Sequence, residues 1–292
     1  MKRCRPIGTI CSTVAFGLAF SAFAIAVPIQ TRTTPHDSPD WEDKIIPGSQ
    51  LTVLELTRRI IPDLNSDPNN AGNWIAKDFS GVRLLDGVEE TGMELDTESD
   101  DQHQITETDY FWMEDAGEKH LVLFLNVDGE KAVIGLFKVS PEVSLLDAAT
   151  IAQDMHTDVD REKLWEIRPK GQAFTVHCWH DNSSESFDSY IFVSIVNRKL
   201  RAIAYPWSFS GFVEYSAARR RLCKTAMTPR FQFARSATGG YFDLIVTETT
   251  LKACHGESEE WSWKTGLVYR KSVRRLWRWN PAKKQYRKAS PR

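Results

Sequence analysis

The segment "HLVLFLNVDGEKAVIGLFKV", residues 120–139, constrains this chain more than any other. Two apolar runs flank Asp128-Gly129, a dipeptide that readily adopts the positive φ angles of a two-residue hairpin turn. The same grammar recurs downstream. "QAFTVHCWH" and "SYIFVSIVN" flank the polar loop "DNSSESFD", and the second run is apolar on both faces, as a central buried strand must be. "KLRAIAYPW" follows a tight turn at Asn197-Arg198, and "RFQFARSAT" and "YFDLIVTETT" flank Gly239-Gly240. Strands at this spacing predict a mostly β protein, an antiparallel sandwich or partial propeller-like sheets, with one or two short helices on the N-terminal side.

"SQLTVLELTRRIIPDL" carries Leu51, Leu54, Ile60 and Ile61 at helical spacing, with Ser49 as the expected N-cap and Pro62 as the stop. "SPEVSLLDAATIAQD" reads either as a helix capped by Ser140 with Pro141 at its first position, or as a loop followed by a short strand. A chain with 41% hydrophobic residues and ten tryptophans has ample material for a core, which excludes global disorder. The expected divisions are a signal peptide over 1–26, a flexible leader over 27–48, a helix plus β region with an acidic loop over 49–170, and an antiparallel β region over 171–292.

The N-terminus points to export. Lys2, Arg3 and Arg5 precede an apolar run that closes on Ala22-Phe23-Ala24 and Ala24-Ile25-Ala26, the layout of a secretory signal peptide. The competing reading is an uncleaved membrane anchor, since residues 7–27 approach the ~20 residues that span a bilayer. Either way the remainder is placed in the periplasm or outside the cell. Cleavage after Ala26 removes Cys4 and Cys11 from the five cysteines and leaves Cys178, Cys223 and Cys254. Cys178 shares a strand face with Phe174 and Val176 and is expected buried and reduced. Cys223 and Cys254 are then the expected disulfide.

Charge is unevenly spread. Residues 86–115 hold twelve acids and no Lys or Arg, whereas residues 264–292 hold eleven basic residues and no acid. These are a solvated loop and a solvated tail, or else surfaces that face one another or an anionic partner. Within the acidic run, Asp96, Glu98, Asp100 and Glu107 match positions one, three, five and twelve of a calcium loop. Asp101 stands where that loop needs glycine, so calcium competes with a plain solvated loop. His177, His180, Cys254 and His255 are residue types that bind zinc, but 177 and 180 point to opposite faces of a continuous strand. No G-x-S-x-G elbow or H-E-x-x-H helix occurs. A hydrolase using two carboxylates stays open, though no spacing nominates which two.

The basic stretch "VRRLWRWNPAKKQYRK", residues 273–288, offers Arg274, Arg275, Trp277, Arg278 and Trp279 as candidate ligand contacts. At period two Val273, Arg275, Trp277 and Trp279 share one face, and Arg274, Leu276 and Arg278 the other. Asn280-Pro281 opens a turn, so "QYRK" can run back and bring Tyr286 onto the tryptophans. The stretch is therefore expected to be a closing hairpin whose outward arginines are free for a partner.

"GGYFDLIVTETT" followed by "RLWRWNPAKKQYR" resembles the strand pair of FG-GAP or VCBS-like extracellular β modules, over about the last sixty residues. The chain departs from that family in having one copy and no D-x-D-x-D-G calcium loop. The remainder resembles exported bacterial proteins. The resemblance implies a binding or scaffolding module rather than a catalyst. The expectation is thus an exported β-rich binding or structural module with no resident cofactor, its partner an extracytoplasmic protein, glycan or polyanion. The alternatives are a cell-envelope hydrolase with carboxylates near the acidic segment, and a polyanion binder using the terminal hairpin. Nucleic acid fits poorly with export and net acidity, and membrane contact would run only through an uncleaved N-terminus.

Overall fold

The structure is a computed structural model and describes residues 30–32, 39–70, 73–88, 101–151, 156–181, 185–216, 221–256 and 266–290. The predicted signal segment lies outside them. Four short strands, β1 (Gln30–Arg32), β2 (Asn65–Ser66), β3 (Trp74–Ala76) and β4 (Arg83–Leu84), accompany the helix α1 (Val53–Ile60). An antiparallel meander follows: β5 (His103–Asp115), β6 (Glu118–Val127), β7 (Lys131–Lys138) and β8 (Ser144–Ile151). Next come β9 (His156–Arg168), β10 (Gly171–Asp181), β11 (Glu185–Val196) and β12 (Lys199–Ser216). The chain closes with β13 (Arg221–Thr238), β14 (Tyr241–Gly256), β15 (Leu267–Asn280) and β16 (Gln285–Lys288). The protein is mostly β, with curled sheets that form half-barrels.

The turns explain why neighbours pair. Asp128 and Gly129 have φ of 58° and 77°, the left-handed pair that matches strand twist in a tight hairpin. Asn197-Arg198 and Gly239-Gly240 also have positive φ at both positions. The helix starts later than expected. Thr52, not Ser49, is its N-cap: Thr52 N donates to Glu55 Oε2 at 2.8 Å and Glu55 N donates to Thr52 Oγ1 at 3.2 Å, a reciprocal capping box. It stops at Ile61, just before Pro62, as expected. The second helix does not form. Residues 144–151 are instead β8, paired along β7 from Ala132–Ile151 to Lys138–Ser144; the exposed edge of β7 offers a ladder of hydrogen bonds that outweighs weak helical preference.

Three core layers result. Between β5–β7 and β10–β11, Phe111, Val122, Phe124 and Ile134 meet Phe174, Val176, Ile191 and Val193. On the outer side of the meander, Leu56 and Ile60 of α1 pack on Leu121, Leu123 and Val133. Helix and sheet come close because position 135 is glycine: a Cβ there would lie 2.2 Å from Ile60 Cδ1. On the far side of β9–β12, Trp165 and Phe192 meet Phe233, Leu244, Val246, Trp279 and Tyr286. β6 and β11 are thereby buried on both faces, as "SYIFVSIVN" implied.

The first curl is closed by a polar staple. Asp147 on β8 accepts from Arg83 Nε at 2.9 Å, Arg83 Nη2 at 2.5 Å and Leu200 N at 2.7 Å. Residues after β4 extend the bridge, with Leu85 N donating to Thr150 O at 3.1 Å and Ala202 N to Asp86 O at 2.9 Å. Cys223 and Cys254 face each other directly across β13 and β14 and form a disulfide, while Cys178 is buried and free. Both cysteine expectations hold.

Candidate functional site

The site arises where two strands part. β5 touches β10 only at Asp115–Gly171, and β9 occupies the rest of that edge of β10, from Arg168 to His156. A register shift between Ala173 and Thr175 bends β9 away. Past the corner β5 and β9 diverge and leave a cleft of about 630 Å³ between them.

Its floor is the first core layer, exposed at Phe111, Phe124 and Val159. Its walls are polar. β5 contributes Glu107 and Asp109, and β9 contributes His156, Asp158, Asp160 and Arg161. Arg161 is ion-paired with Asp109, which is almost fully buried. From β10 and β11 come His177, Trp179 and Tyr190. The register sets Trp179 beside His156, and His177 between Asp158 and Tyr190, so rings and carboxylates alternate over one face.

The rings form a column. Trp179 lies 4.5 Å from His156 and 6.4 Å from His177, and His177 stacks on Tyr190 at 4.5 Å with planes 11° apart. Tyr190 in turn meets Phe231 edge-on at 5.4 Å. His177 Nε2 is hydrogen-bonded to Asp188 Oδ1, which fixes the imidazole in the column. Burial pushes the Tyr190 phenol above its ordinary range, and the nearby charges of Asp188 and Asp160 push it further the same way. Trp179 is 38% exposed at the rim, unusual for so large an apolar group.

No known protein family, curated protein or solved structure matches this chain. The site is therefore read from its own chemistry.

The residues singled out from the sequence fall elsewhere, with one exception. Glu107 lines the cleft, but as part of β5; Asp96, Glu98 and Asp100 lie outside the described residues. Among the described residues no group of three or more His, Cys, Asp or Glu is placed to hold a metal ion. The zinc candidates are dispersed: Cys254 is in the disulfide, His177 is in the ring column, and His180 stacks on Phe187 at 5.9 Å. In the terminal hairpin Trp279 pairs with Tyr286 and Arg278 with Arg287. Trp279 is buried, stacked 3.7 Å from Tyr241 and 5.5 Å from Tyr286. Trp277 is half-buried beside it, and Arg275 Nε on the same face donates to Glu248 Oε2 at 2.7 Å. Arg274 and Arg278 are on the opposite face, and Arg278 and Arg287 border a shallow groove with Lys288. Among the described residues no helix is long and apolar enough to cross a membrane.

Sequence reasoning missed β9 and with it half the cleft. A usable signal was present: in "HTDVDRE" His156, Asp158 and Asp160 recur at period two, and so share a strand face. What the letters could not supply was the partner. Trp179 and Tyr190 meet these residues only through the register of β9, β10 and β11.

Proposed function

We propose that this protein is an exported binding module whose ligand seats in the cleft between β5 and β9. The observation that carries the reading is a recess with an apolar floor, an exposed tryptophan at its rim and convergent polar side chains on three strands. Its volume of about 630 Å³ falls in the ~300–1,000 Å³ range of small-molecule sites. The aromatic column is rigid, because each ring is held by its neighbour, so little side-chain entropy is lost on binding. The FG-GAP-like C-terminal strands and the signal-type N-terminus agree with a role outside the cytoplasm.

The test is a thermal-shift screen of the mature chain against neutral oligosaccharides, polyamines, calcium and heparin. A ligand of the folded state raises the midpoint by mass action, and Trp179→Ala should abolish the shift without lowering the midpoint of the free protein. A shift that survives Trp179→Ala places the ligand elsewhere and overturns the reading. Clear turnover of glycan, ester or peptide substrates would replace it with the hydrolase reading.

A second reading has its own observation. Arg278 and Arg287 stand directly opposite on β15 and β16, and Arg274 shares the outer face. Like charges opposite one another cost stability unless something neutralises them, and none of the three has an acidic partner among the described residues. A polyanion would supply the missing charge. Heparin binding that is steeply weakened by salt and lost in Arg274→Ser/Arg278→Ser/Arg287→Ser supports it; binding unchanged by those substitutions removes it.

A further inference from the structure

We infer that the cleft takes an ammonium-bearing organic cation, seated between the carboxylates of Asp158 and Asp160 and the rings of Trp179 and Tyr190. The inference rests on the reading of the cleft as the ligand site and adds the chemical class of the ligand.

Three observations converge on a cation. The first is charge. The lining carries Glu107, Asp109, Asp158 and Asp160 against a single guanidinium, Arg161, which is already paired with Asp109. Ionised carboxylates only accept hydrogen bonds, so a ligand must bring donors, and an ammonium brings donors and no acceptor. The second is the rings. The faces of Trp and Tyr carry negative quadrupole charge and attract cations, and Trp179 presents its ring beside two carboxylates of β9. A neutral sugar would use the ring and leave the carboxylate charge unanswered.

The third is a precedent within the protein. A smaller recess continues from the cleft, sharing Asp160 and Tyr190 with it. There the ammonium of Lys163 lies 3.9 Å from the centroid of Trp165. The chain itself thus places a cation on an aromatic face two residues further along the same strand edge. The field that raises the Tyr190 phenol has the matching sign, since Asp188 and Asp160 both contribute to it. Lys163 and Arg230 in that recess set a positive limit, which confines a cationic ligand to the main cleft.

Spermidine is the probe and maltotriose the neutral comparator, each titrated into the mature chain by calorimetry. Spermidine should bind saturably. Asp158→Asn and Asp160→Asn should each weaken it about tenfold, the loss expected for one charge-assisted hydrogen bond. Trp179→Ala should weaken it similarly. Raising salt from about 0.05 to 0.5 M should weaken it through screening. The control is Glu42→Gln/Glu142→Gln, two exposed carboxylates outside the cleft. If that variant loses as much affinity as the Asp158 variant, binding is diffuse attraction to an acidic protein and the inference falls. If maltotriose binds in a Trp179-dependent way and spermidine does not, the cleft reading stands and the cation is wrong. If neither binds and the screen finds no Trp179-dependent ligand, both fall. Far-UV circular dichroism and the unfolding midpoint of every variant show that lost binding is not lost fold.

Discussion

Trp179, at the rim of the cleft, and Trp279, in the terminal hairpin, each stack on another ring, yet the first is 38% exposed and the second 6%. Both lie near the end of a long antiparallel strand. The difference is whether another layer covers that end. β16 folds back beside Trp279, and Tyr241 and Tyr286 close over it. The layer that covers β10 and β11 reaches only as far as Phe231 on Tyr190, and Trp179 lies beyond it. One tryptophan therefore holds the fold together, and the other is left at a recess where strands diverge. The charges follow the same logic. Arg275, on the covered face, is neutralised by Glu248, whereas Arg274 and Arg278 face outward without an acid.

The sharpest way to break this contrast is to truncate both rings. Trp279→Ala should cost about 3–5 kcal/mol, the range for deleting a buried aromatic, and chemical denaturation will show it as a lower midpoint at similar slope. Trp179→Ala should cost less than about 1 kcal/mol, because a side chain at the rim leaves no enclosed void. Equal losses would mean that the rim tryptophan is a core residue. Removing the disulfide with Cys223→Ser/Cys254→Ser should cost about 2–4 kcal/mol and lower the midpoint of the terminal strands. The cleft should keep its ligand, since neither cysteine lines it.

Alkali separates the regions more gently. The Tyr286 phenol donates to Phe242 O at 2.8 Å, and burial is the main cause that pushes its pKa far above the ordinary value. The folded state therefore holds this proton more tightly than the unfolded chain. The stabilisation is complete below the unfolded value of about 10 and falls by about 1.4 kcal/mol per pH unit above it. Tyr286→Phe should flatten that part of the alkaline profile in equilibrium unfolding measured between pH 9 and 11, about the range where phenols ionise. The smallest stability effect belongs to Arg274→Ser/Arg278→Ser/Arg287→Ser. Exposed positions change stability by about 0.5 kcal/mol or less, and relief of the Arg278–Arg287 repulsion could make the sign favourable.

Much of the β architecture was legible. The turns at Asp128-Gly129, Asn197-Arg198 and Gly239-Gly240 could be read because a two-residue hairpin needs positive φ at both positions, and few residue pairs tolerate that. The terminal hairpin could be read to the level of Tyr286 meeting Trp279, because period two and one turn fix it. Where two local readings competed, the sequence did not choose. Residues 144–151 suit a helix or a strand, and the edge of β7 decided. Ser49 and Thr52 can both cap, and Glu55 decided, three residues after Thr52. Of the cleft only Glu107 was singled out, for a calcium spacing unrelated to its place on β5.

The letters of "VRRLWRWNPAKKQYRK" and "HTDVDRE" settle which side chains share a strand face, because φ and ψ and the pleat are local properties. They also oppose Cys223 and Cys254 once the Gly239-Gly240 turn sets the register. They do not say which face another layer will cover. That depends on contacts across more than a hundred residues, such as Arg83 with Leu200 or Gln285 with Gly87, and each requires every intervening strand to be in place. The parting of β5 and β9 is of this kind. It follows from the bend of β9 against β10 and from the staple that curls the meander, and only there do His156, Asp158, Asp160, Trp179 and Tyr190 become one site.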